Sequence, residues 1–127
     1  MLAEAKVTAM LQLYKPVEQA GITSLHLSIE DGHHIADQAF DDATAFVRAQ
    51  HSAGACLLIA CGAGISRSST FAVLALNVIE GLTLEQAFWQ VRKANPRAMP
   101  DQIHWEALAK YRDDDQSFWE LWRRAEL

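Results

Sequence analysis

Cysteine is scarce in this chain of 127 residues, with Cys56 and Cys61 as its two thiols. Both fall on one apolar stretch, where five extended residues span roughly 16 Å, whereas bridged Cα atoms sit about 5–6 Å apart. The spacing argues against a disulfide, and free thiols suit a reducing compartment. Basic residues are also few: 11 Lys and Arg against 16 Asp and Glu leave a net charge of −5. No long-range field would draw in a polyanion, which argues against nucleic acid and against an anionic membrane surface. The longest apolar run, Phe71 to Leu76, is far too short to span a bilayer. The opening Met-Leu-Ala-Glu-Ala-Lys lacks a basic segment followed by an apolar core, so no signal peptide is expected and the chain reads as cytoplasmic. His33-His34 tempts a metal reading, but no further His, Cys or Asp set stands at ligand spacing. No metal and no cofactor is expected.

What is present describes one α/β domain over residues 1–127. Val7 to Leu13 reads as a strand. Thr23 to Ile29 alternates, with Leu25, Leu27 and Ile29 on one face, and is a second strand. Ile35, Ala39, Phe40, Ala43, Phe46 and Val47 form a helical stripe that ends before Gly54. Ala55 to Ala60 is continuously apolar, as a strand buried on both faces would be. Strand, helix, strand at this length makes a βαβ unit with parallel, neighbouring strands. Thr70 to Glu80 is apolar on nearly every side and should be a central helix. Thr83 and Gln86 form a capping box for a helix from Leu84 to Ala94, stopped by Asn95-Pro96. Pro100-Asp101 opens another helix, carrying Trp105 and Leu108. A terminal helix is expected from about residue 113, with Asp113 to Asp115 in its first turn. The tryptophans, Trp89, Trp105, Trp119 and Trp122, are expected to be core or helix-packing residues.

The informative segment is Cys61-Gly62-Ala63-Gly64-Ile65-Ser66-Arg67-Ser68, set between a strand and a helix. Such a turn aims backbone N–H groups at one point, and the helix N-terminus adds partial positive charge. Gly62 and Gly64 let the backbone approach an anion without a Cβ in the way. Arg67 can fold back and grip two phosphate oxygens with its planar fork. The same field holds Cys61 as a nucleophilic thiolate. Residues 62–67 are therefore the candidate phosphate cradle. Asp31 follows its strand as Cys61 follows the other, so parallel strands deliver both to one crevice. Asp31 can then protonate the leaving oxygen and later activate water. Glu30 and Asp37 are the alternative acids, and an Asp31 that merely forms a turn before Gly32 is the plain alternative. Ser68 can donate to the departing thiolate, or serve only as a helix-start residue.

Cys-x5-Arg-Ser with Gly64 inside resembles the protein tyrosine phosphatase superfamily, and AGISRSST resembles its dual-specificity branch. The resemblance runs from about Val7 to Tyr111. It implies a central, mostly parallel sheet flanked by helices, the cysteine-phosphatase fold. It also implies hydrolysis of phosphotyrosine, and of phosphoserine or phosphothreonine, in proteins or peptides through a cysteinyl-phosphate, with Asp31 at the position of the family's acid. Three departures stand out. Ala60 occupies the position where the family has the histidine that tunes the thiol. Asp101 stands where an asparagine usually braces the phosphate loop. The chain begins near what is usually the third strand, so the resemblance implies that the leading strands are lacking and that the Cys61 strand lies near an uncovered edge, open to a terminal helix or to a second copy in a homodimer. Ala60 also raises the rival reading of a weak or inactive pseudophosphatase that binds phosphorylated peptides. Loops of the low-molecular-weight phosphatases lie near the N-terminus with the acid downstream, unlike the order here. Neutral Ala63 and Ile65 disfavour multiply charged phosphoinositide or RNA-end substrates.

Overall fold

The structure is a computed structural model, and it describes residues 7–13, 21–30, 32–60 and 66–126. Among these the element order is β1 (Ala9–Gln12), β2 (Thr23–His26), α1 (Asp37–Ser52), β3 (Leu57–Ala60), α2 (Ser66–Glu80), α3 (Leu84–Ala94), α4 (Gln102–Tyr111) and α5 (Phe118–Glu126). The strands form one parallel sheet in the order β2-β1-β3. Leu11 pairs with Leu25 on one side and with Ile59 on the other.

That order corrects two expectations. β2 and β3 are parallel, but β1 lies between them, so the crossover through α1 skips a strand. The doubly flanked strand is therefore β1, whose Ala9, Met10, Leu11 and Gln12 are all buried. β3, the most continuously apolar stretch, is an edge strand with Leu57, Leu58 and Ile59 half-buried and Cys56 exposed. Among the described residues β3 pairs with β1 alone. Part of its apolar surface lines a cleft of about 670 Å³, whose other walls include Ala72 and Leu76 of α2 and Val91 of α3. Among the described residues β3 is an edge, as the sequence reading has it, and α5 packs on α4, with no residue in the lining of the cleft beside β3.

The helices follow their sequence signals closely. Phe40, Ala43 and Val47 turn the stripe of α1 inward. Gly81, with φ 71°, takes the left-handed conformation that ends α2 and that a side chain would strain. Thr83 caps α3 through a complete box: its hydroxyl accepts the Gln86 N–H at 3.1 Å and its own N–H donates to Gln86 Oε1 at 3.0 Å. α2 is central, packing against α1, α3, α4 and β3. The buried cluster includes Leu11, Phe40, Phe71, Phe88, Trp105 and Leu121, so sheet and helices share one core.

The terminal helix begins at Phe118, not near residue 113. Asp113 sits at φ 54°, and Asp114 Oδ1 accepts the Gln116 N–H at 2.8 Å, closing a side-chain turn that competes with helix. Ser117 then starts α5 by accepting the Glu120 N–H. The tryptophans divide: Trp105 is buried and Trp89 half-buried, while Trp119 and Trp122 are exposed and meet each other edge to face.

Candidate active site

The parallel register sets the geometry of the site. Gln12 of β1 pairs with His26 of β2 on one side and with Ala60 of β3 on the other. The carboxyl ends of β2 and β3 therefore lie level, separated by one strand. Ligand sites in open α/β sheets form at that end. Of the sequence candidates, Asp31, Cys61, Gly62, Ala63, Gly64 and Ile65 lie outside the described residues. Ser66, Arg67 and Ser68 form the first turn of α2, so the helix opens inside the motif, earlier than the apolar run at Thr70 suggests.

Ser66 and Arg67 are both buried, at 7% and 6% exposure. A buried guanidinium requires partners, because desolvating a charge without them is costly. Arg67 Nη1 donates to the Ile29 carbonyl at 3.0 Å. Ile29 lies two residues before Asp31. The bond thus clamps the segment leaving β2 against the helix that follows the cysteine motif. Ser68 is half-buried and borders the cleft beside β3.

The alternative acids sit differently. Glu30 is exposed and lies 3.4 Å from His33 Nε2. Asp37 is exposed in the first turn of α1, where a carboxylate favours the helix dipole. His33 and His34 are both exposed, and no group of three metal-ligating side chains occurs among the described residues.

Two contacts were not legible in the sequence. The Asp101 backbone N–H donates to Ser66 Oγ at 2.7 Å, while the Asp101 side chain is exposed and makes no cap bond. His104 Nδ1 lies 2.7 Å from the same Ser66 Oγ, and the ring is fully buried. The available signal was a histidine on an otherwise apolar helix face, beside Trp105 and Leu108. It identifies a buried imidazole but not its partner.

The family model for the catalytic domain of dual specificity phosphatases matches residues 1–114. The chain is 37% identical over 86 residues to the dual specificity protein phosphatase Mpk3 of Drosophila melanogaster, covering 66% of this chain and 21% of that protein. To the human dual specificity protein phosphatase 5 it is 30% identical over 105 residues, covering 79% of this chain and 27% of that one. The chain thus spans about a fifth to a quarter of the length of these relatives. Among solved structures, human DUSP28 superposes with a TM-score of 0.80 at 29% identity, covering 88% of this chain and 81% of the other. A mouse putative dual specificity phosphatase complexed with zinc tungstate superposes equally well, at 0.80 and 25% identity, over 88% of this chain and 73% of its own. With the match extending through every described strand and through α4, the chain belongs to the dual-specificity phosphatase family.

Proposed function

We propose that this chain is a cysteine-dependent protein phosphatase, hydrolysing phosphotyrosine and phosphoserine or phosphothreonine in proteins through a cysteinyl-phosphate. The reading is supported most directly by the bond from Arg67 Nη1 to the Ile29 carbonyl. It holds the motif's arginine beside the segment that leads into Asp31, so the oxyanion clamp and the candidate acid come from one end of the sheet. Tungstate, present with the mouse relative, is a tetrahedral oxyanion like phosphate and fits the same chemistry.

In the proposed sequence the Cys61 thiolate attacks phosphorus as the bond to the leaving oxygen breaks. Asp31 gives that oxygen its proton. The Arg67 fork and the backbone N–H groups of residues 62–66 neutralise the equatorial oxygens, which is the main task in phosphoryl transfer. In the second half Asp31, now a carboxylate, takes a proton from water as the water attacks phosphorus. The sulfur leaves as thiolate, stabilised by the Ser68 hydroxyl.

One observation favours a second reading. Ala60 supplies no imidazole beside the nucleophile, so a protein that binds phosphorylated peptides with little turnover is the rival. Hydrolysis of an aryl phosphate distinguishes the two. Catalysis requires activity that Cys61→Ser abolishes, with a bell-shaped rate–pH profile whose alkaline limb flattens in Asp31→Asn when the leaving group is poor. Peptide binding without turnover in the unmodified chain establishes the rival instead.

A further inference from the structure

We propose that His104 is a positioning residue of the phosphate loop, acting through Ser66; this rests on the reading of residues 61–67 as that loop. Ser66 occupies the last place before Arg67, so its orientation sets where both the loop's final N–H and the arginine point. Three contacts converge on it. Its carbonyl accepts the Thr70 hydroxyl at 2.8 Å, which ties it to the next turn of α2. Its hydroxyl oxygen accepts the Asp101 N–H at 2.7 Å and lies 2.7 Å from His104 Nδ1. The last two partners both come from the start of α4.

The bond is available in either neutral tautomer. A ring protonated at Nε2 accepts the serine proton at Nδ1, and a ring protonated at Nδ1 donates to Oγ. In both, the hydroxyl is held from two directions and its rotamer is settled. His104 Nε2 is buried without a hydrogen-bond partner among the described residues. A ring kept for packing alone would be better served by carbon at that position, since a buried unsatisfied nitrogen is costly. The imidazole is therefore retained for its Nδ1 end, which faces Ser66. Among the described residues Asp101 meets Ser66 through its backbone N–H, and the side chain that α4 sends to Ser66 is the histidine.

This differs from a structural histidine in what it predicts for anion binding. His104→Phe keeps a ring of similar shape and loses the nitrogen, whereas His104→Asn can return a polar atom near the position of Nδ1. The probes are tungstate affinity by calorimetry, the pH dependence of Cys61 alkylation by iodoacetamide, and kcat on an aryl phosphate. The expected result is that His104→Phe melts within a few degrees of the unmodified chain but loses about tenfold in tungstate affinity and in kcat. His104→Asn should recover most of that loss. Ser66→Ala should reproduce it, and adding His104→Phe to Ser66→Ala should cost little more, because both remove one interaction. Unchanged affinity and alkylation in a folded His104→Phe overturn the proposal, as do fully additive losses in the double variant. If His104→Phe does not fold, Ser66→Ala and His104→Asn carry the comparison: unchanged affinity in the first, or a loss in the second equal to that of Ser66→Ala, overturns it. A pseudophosphatase that binds tungstate without turnover leaves this inference intact. An unmodified chain that binds no tungstate removes both it and the loop reading.

Discussion

The proposed function gives Arg67 two tasks that suit a planar fork. One N–H fastens the Ile29 carbonyl at 3.0 Å, and the proposed function asks the same planar group to grip an oxyanion. Lysine keeps the charge but concentrates it on one flexible ammonium. Arg67→Lys is therefore expected to lower kcat on an aryl phosphate by roughly two to three orders of magnitude, in line with removal of an oriented oxyanion donor. Steady-state kinetics check this, and a rate within twofold of the unmodified chain would detach the arginine from the chemistry. The motif itself, Cys61 to Ser68, was legible because its members are consecutive and its cysteine, glycines and arginine each suggest a use. His104 was not, because its partner lies 38 residues away and becomes its neighbour only when α4 packs against α2.

At the scale of elements, local signals that close on themselves read reliably. The Thr83–Gln86 box is complete within four residues, and it caps α3 as the sequence implies. Acidic residues before a helix read less reliably: Asp113 to Asp115 precede α5, since Asp114 binds the turn instead of the helix start. A contact between elements offers a pH test. The Tyr111 hydroxyl of α4 donates to Asp41 of α1 at 2.6 Å. Burial first, and then that bond, push the Tyr111 pKa above its ordinary value. The folded state therefore holds this proton more tightly than the unfolded chain does. The resulting stability is fully present below the tyrosine's unfolded value of about 10 and declines as pH rises beyond it. Tyr111→Phe should melt somewhat lower near neutrality and lose less of its melting temperature between about pH 9 and 11 than the unmodified chain. Equal alkaline slopes for both would show that the bond contributes nothing.

Across the whole molecule, the terminal helix belongs to the core rather than to the open edge of the sheet. Leu121 is only 1% exposed and joins the cluster of Phe88, Trp105 and Leu108. Trp105 Nε1 donates to the Gln116 carbonyl at 3.0 Å, fastening the approach to α5, and Arg124 pairs with Glu85 of α3. Leu121→Ala should cost about 2–4 kcal/mol, the range for a truncated buried leucine. Urea unfolding measures it, and a loss below about 1 kcal/mol would place α5 outside the cooperative unit.

Periodicity and short-range chemistry suffice to locate most of the strands and helices here, and they single out the octapeptide proposed to cradle an anion. Both depend on residues that are neighbours in the chain. Strand order, the half-buried state of β3 and the grip of α4 on Ser66 were decided only by tertiary structure. An apolar strand looks the same in sequence whether one neighbour or two flank it, and a histidine shows no partner until another helix brings one within hydrogen-bond reach.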